Sequence, residues 1–173
     1  MNPKVLFVLH EASRTGAPMF LLHFLRWLKR ETKLEFEILL GKGGALEREF
    51  AALAPLRSQA QLAASPAYLQ SFSLIYSNSV CNGYLLEDLP YGDVPIVTHL
   101  HELDMAYQWL GARKMAAVIR QSSRFVACAQ TVADRFRHLF GVSADRISVH
   151  YEMVDCGSLA EASTGATEAG LAL

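Results

Sequence analysis

Lys4 to Leu9 (KVLFVL) is an almost unbroken apolar run with β-branched and aromatic members. A strand apolar on both faces has to be covered on both faces, which places it centrally in a parallel sheet. The loop His10, Glu11, Ala12, Ser13, Arg14, Thr15, Gly16, Ala17 follows. Pro18 then stands where a helix favours a fixed φ and needs no donor, its first turn. Met19 to Arg30 is nearly all apolar apart from a stripe of His23, Arg26 and Arg30, so this helix packs on the sheet. Gly16 allows close backbone approach and the helix start offers free N–H groups, which together suit an anion. A tight turn shaped by Gly16 and Pro18 accounts for the same residues equally well.

The alternation continues along the chain. Leu34–Leu40 reads as a second strand ending at Gly41, and Ala45–Ala54 as a short amphipathic helix stopped by Pro55. Residues 56–70 leave two placements open for an edge strand, Leu56–Ser58 or Gln61–Ala63, with Ser65-Pro66 marking a turn or a helix start. Strands are then predicted at Phe72–Ser77, Pro95–Leu100, Arg124–Ala129 and Arg146–Tyr151. Helices are predicted near Gly83–Leu89, over Met105–Gln121, and after a Thr131/Asp134 capping box closed by Gly141. Strand and helix alternate from one end to the other, which is the pattern of an α/β, doubly wound parallel sheet in one domain. Cys156 to Leu173 loses this pattern and reads as a tail or linker, so the domain is expected over residues 1–155.

Several classes are disfavoured. The 173 residues, 51% of them hydrophobic, can bury one core, and a formal net charge of -1 offers no basic field for nucleic acid. Cys81, Cys128 and Cys156 are an odd number without C-x-x-C spacing, which fits a reducing, cytoplasmic environment. No leader or membrane span is visible. G-x-G-x-x-G, G-x-x-x-x-G-K-[ST] and G-x-S-x-G are all absent. A receiver domain would need paired acidic residues after the first strand.

Polar residues collect where the strands end, the edge at which doubly wound sheets bind ligands. They are His10 to Gly16 after the first strand, Asn78 and Ser79 after the fourth, His99 to Glu102 after the fifth, and Gln130 after the sixth. Each alone has a structural reading as a cap, and four together point to a cleft. His99-x-His101 with Glu102 has ligand types suited to zinc or iron, but no second cluster supplies further ligands, so no metal is expected.

The series KVLFVLHEASRTGAP, LLGKGG, LIYSNS, PIVTHLHEL, FVACAQTVADRF and DRISVHYEMVD resembles the N-terminal, Rossmann-like domain of retaining GT-B glycosyltransferases of the GT4 type, from Lys4 to about Asp155. The resemblance implies transfer of a hexosyl group from a nucleotide-diphosphate sugar, without a cofactor. It implies a donor diphosphate at Thr15, Gly16 and Ala17, and a donor hexose at His101 with His99 second. Acceptor contacts would fall at Asn78, Ser79, Glu102 and Gln130. A C-terminal GT-B domain, in cis or in trans, would carry the nucleotide pocket, and this half alone would be inactive. Two departures stand out: Thr-Gly-Ala-Pro where many relatives have Gly-Gly and an acidic residue, and Tyr151-Glu152-Met153-Val154-Asp155 where relatives often have an Asn-Gly-Val-Asp turn. The competing classes are a flavodoxin-like binding module and the non-catalytic subunit of a split enzyme. An anionic membrane surface is a further partner for the stripe His23, Arg26, Arg30 beside Trp27, with packing on the sheet the favoured reading.

Overall fold

Phe7 and Leu9 face one side of the first strand and Leu6 and Val8 the other, and all four are buried. The strand is β1 (Lys4–Glu11), and in the computed structural model, which describes residues 3–152, it lies between two parallel neighbours. The other strands are β2 (Glu35–Lys42), β3 (Leu56–Arg57), β4 (Leu74–Ser77), β5 (Ile96–Leu100), β6 (Arg124–Ala127) and β7 (Ile147–Val149), in the order β3-β2-β1-β4-β5-β6-β7. Every pairing is parallel. Strand order reverses between β1 and β4, so the cleft of a doubly wound sheet falls there.

Helices cover both faces. Against the side bearing Val5, Phe7 and Leu9 lie α1 (Gly16–Glu31), through Leu21, Leu22, Leu25 and Leu28, and α2 (Glu47–Leu53), through Phe50. The opposite side, with Leu6 and Val8, is covered by α3 (Gln59–Ala63), α4 (Pro66–Leu69) and α5 (Gly83–Leu86). A third cluster joins α6 (Asp104–Gln121) and α7 (Gln130–Phe140) to β5 and β6 through Tyr107, Met115, Phe125 and Phe136. No helix among the described residues is long and apolar enough to cross a membrane.

Local chemistry explains the boundaries. Of the two edge-strand placements, Leu56–Arg57 is the one that pairs with β2, while Gln61–Ala63 belongs to α3, started by a capping box between Ser58 and Gln61. Gly141 closes α7 in the left-handed conformation, as expected. The Thr131 capping box does not form: α7 starts two residues earlier than that box would place it, Ala129 is its N-cap, and Thr131 already lies inside the first turn. The helix expected over 105–121 is interrupted, since Gly111 adopts φ 78° and ψ 159°, a conformation that L side chains rarely enter. The domain limit near residue 155, the tail and Cys156 lie outside the described residues.

Among the buried polar groups is one carboxylate, on β2. The Glu37 carboxylate accepts from Lys4 Nζ at 2.7 Å, Arg57 Nε at 2.6 Å and Tyr68 Oη at 2.5 Å. Burial alone would raise its pKa. The three donors outweigh burial and hold it at about 2.

Candidate functional site

The ends of β1, β4 and β5 come together at the crease between β1 and β4. After β1, Ser13 Oγ donates to Glu11 Oε1 at 2.7 Å and lies 2.9 Å from Thr15 Oγ1. Thr15 is the N-cap of α1, yet its hydroxyl makes no capping bond, and the first turn holds no acidic residue. Pro18 removes one donor from that turn. The N–H groups of Gly16 and Ala17 are without a hydrogen-bond partner among the described residues, and a Cβ built on Gly16 meets nothing within 4 Å. The positive end of a 16-residue helix is thus left uncapped, with room beside Gly16.

Asn78 follows β4 and is fully buried. Its N–H continues the sheet to the Val8 carbonyl at 3.1 Å, and its Nδ2 donates to the carbonyl of Ala17 at 2.8 Å. Its Oδ1 has no partner among the described residues. The adjacent Ser79 donates through Oγ to Glu102 Oε1 and accepts from the N–H of Cys81 at 2.9 Å. Glu102 Oε2 accepts from the N–H of His101 at 3.0 Å, so the ends of β4 and β5 are bolted together.

The two histidines stand on one side of the end of β5, as the two-residue spacing requires, with ring centroids 4.0 Å apart. Phe20 of α1 packs on both, at 5.1 and 5.6 Å. His99 Nδ1 lies 2.7 Å from Tyr76 Oη, and His101 Nδ1 lies 2.5 Å from Glu152 Oε1. Both Nε2 atoms are buried and unpartnered among the described residues. Burial, followed by the neighbouring His101 and His150, lowers the His99 pKa to about 3, so this imidazole is neutral over the ordinary pH range. Burial likewise raises the Tyr76 phenol, with Glu152 adding to it, so Tyr76 stays a hydroxyl.

Thr15, Gly16, Ala17, Asn78, Ser79, His99, His101 and Glu102 therefore share one end of the sheet, linked by hydrogen bonds or through Phe20. Gln130 does not join them. It is exposed at the start of α7, where its Nε2 donates to Asp134 Oδ1 at 3.0 Å. The expectation that no further ligand joins the histidine pair from elsewhere in the chain needs correction, because potential ligand atoms of His99, His101 and Glu152 lie within 4.8 Å of one another. The carboxylate there engages Nδ1 of His101, the arrangement that orients a ring. Phe20, Tyr76 and Glu152 were not singled out as site residues from sequence. Only Glu152 carried a signal, as part of the unusual turn after the last strand.

A parallel sheet that reverses order beside an uncapped helix start defines a doubly wound α/β domain. Residues 16–158 match the family model of Glycosyltransferase Family 4, and the chain belongs to that family. Among solved structures it is similar to Anabaena HepE, determined in complex with UDP and glucose, with a TM-score of 0.65 and 21% identity. The match covers 89% of this chain and 45% of the HepE chain, so the present chain spans less than half of that protein. No curated protein matches it.

Proposed function

We propose that this chain is the acceptor-side, N-terminal half of a glycosyltransferase that moves a hexosyl group from a nucleotide-diphosphate sugar to an acceptor with retention of configuration. The observation that carries this reading is the start of α1, where the Gly16 and Ala17 N–H groups have no hydrogen-bond partner among the described residues, no side chain caps them and the first turn holds no acidic residue. In glycosyl transfer negative charge develops on the departing diphosphate, and a fixed helix N-terminus stabilises such charge without reorganising. His101 Nε2 would meet a hydroxyl of the donor hexose, with neutral His99 behind it. Asn78, Ser79 and Glu102 would face the acceptor, and Gln130 would enter only at the rim. The UDP and glucose in the HepE complex support the donor class. The chemistry asks for no metal or cofactor, and a cytoplasmic setting would supply the donor.

The second domain, in cis or in trans, would hold the nucleotide, so this half alone turns over nothing. The test is a transfer assay with sugar nucleotides on the 173-residue chain and on the chain joined to its second domain. Transfer by the joined protein alone is expected. Robust transfer by the isolated chain, or none by the joined protein with any sugar nucleotide, would overturn the reading.

A further inference from the structure

Of the basic stripe of α1, the sequence's candidate for a membrane contact, Arg26 and Arg30 are each paired with a carboxylate of this chain. Arg26 pairs with Glu49, Lys29 Nζ donates to the carbonyls of Ala52 and Leu53 at 3.0 and 2.7 Å, Arg30 pairs with Glu31, and Trp27 stacks on Phe24. Arg26 and Lys29 hold α2 against α1. The apolar surface that stands out lies elsewhere, at the start of α6. Met105 is 85% exposed, Trp109 79% and Leu103 49%.

This tip is held rigidly. Between the exposed residues, Tyr107 and Leu110 are buried. Tyr107 packs on Phe136 and Phe140 and donates to the Glu102 carbonyl at 2.6 Å, while Asp104 takes a two-pronged ion pair from Arg135. Gly111 then breaks the helix, and Arg113 and Lys114 follow, both exposed and without an ion pair among the described residues. Of the neighbouring acids, Asp104 is paired with Arg135, and Glu102 is held by two neutral donors, Ser79 Oγ and the His101 N–H. The segment therefore combines a fixed apolar knob with two exposed cations that have no ion pair among the described residues. Trp and Met seat in the interfacial layer of a bilayer, and lysine and arginine beside them meet lipid phosphates.

We propose that Leu103–Lys114 docks this domain on an anionic bilayer surface, with Met105 and Trp109 entering the interfacial layer and Arg113 and Lys114 at the headgroups. The segment leaves the sheet directly after Glu102, so docking sets the crease between β1 and β4 beside the membrane. This inference stands independently of glycosyl transfer.

The test uses the 173-residue chain with phosphatidylcholine vesicles, with and without phosphatidylglycerol. The chain has two tryptophans, so Trp27→Phe leaves Trp109 as sole reporter. The expected result is flotation with the anionic vesicles only, with a blue shift of Trp109 emission. Met105→Glu with Trp109→Glu, and separately Arg113→Glu with Lys114→Glu, should each lower the bound fraction at least roughly tenfold. Arg26→Glu with Arg30→Glu should leave it unchanged. Absence of flotation by the unaltered chain, or equal flotation of the Met105/Trp109 variant, overturns the proposal. Should a variant fold poorly, the Trp27→Phe chain decides, and unchanged Trp109 emission overturns it. Self-association abolished by Trp109→Glu, with no vesicle effect on emission, assigns the surface to a second copy instead and also overturns it.

Discussion

Asn78 reaches from the end of β4 to the first turn of α1, where its Nδ2 donates to the carbonyl of Ala17 at 2.8 Å. This bond spans the crease of the sheet and fixes the helix start relative to the histidine pair. Asn78→Asp turns a donor into a carboxylate oxygen facing a carbonyl, inside a fully buried position. It should destabilise the chain by about 1–3 kcal/mol, read as a lower denaturant midpoint with an unchanged slope. A midpoint equal to that of the unaltered chain would show that the bond does not form in solution.

Thr15 sits at an N-cap without capping its helix. Thr15→Asp supplies both a cap acceptor and a negative charge to the N-terminus, and should stabilise the chain by roughly 0.5–1 kcal/mol. The same carboxylate would compete with a diphosphate for the same N–H groups. Titration of UDP into the protein carrying both domains should therefore show affinity reduced about tenfold or more. A variant that is more stable and binds UDP as well as before would remove α1 from the donor site.

His99 bears on stability below neutral pH. Its folded pKa of about 3 lies below the ordinary imidazole value of 6.5, so the unfolded chain binds this proton first as pH falls. The fold thus keeps the full contribution above about pH 6.5 and loses it at up to about 1.4 kcal/mol per pH unit down to about pH 3. His99→Gln should flatten that slope in denaturant titrations at successive pH values. The His99 ring resonances in NMR should not titrate between pH 8 and roughly pH 4. Titration near neutrality would contradict the burial seen here.

Glu37 acts in a lower window. Its pKa is held at about 2 against an ordinary 4.5, so its contribution is complete above pH 4.5 and is lost as pH falls toward 2. The difference corresponds to roughly 2–3 kcal/mol for this nearly buried carboxylate. Glu37→Gln should lower stability at pH 7 and weaken the pH dependence below pH 4.5. An acid-unfolding profile indistinguishable from that of the unaltered chain would mean that the Lys4, Arg57 and Tyr68 contacts contribute nothing net.

The strands and most helices were legible because their signals are local. KVLFVL declares two buried faces within six residues, and Gly141 marks a helix end by itself. The co-location of Asn78 with His99 and His101 was also legible, since parallel topology gathers strand ends on one edge. What holds those side chains was not. Glu152 meets His101 across 51 positions, Asn78 meets Ala17 across 61, and no periodicity encodes such pairs. Gly111 was passed over because a lone glycine is tolerated inside a helical pattern, and only the observed φ shows a break. Thr131 misled for the opposite reason: the motif is present in the sequence, but the helix begins two residues before the start it marks and the box does not form.

The sheet is stitched unevenly. Seven residue pairs join β1 to β2, four join β1 to β4 and three join β4 to β5, and the candidate site is built across the two shorter seams. A partial opening of the domain that frees β4 dismantles the site while the β1–β2 pair persists. The amide of Asn78, bonded across the crease to Val8, is therefore a gauge of site integrity, and its hydrogen-exchange rate reports how often the assembled site comes apart in the folded protein.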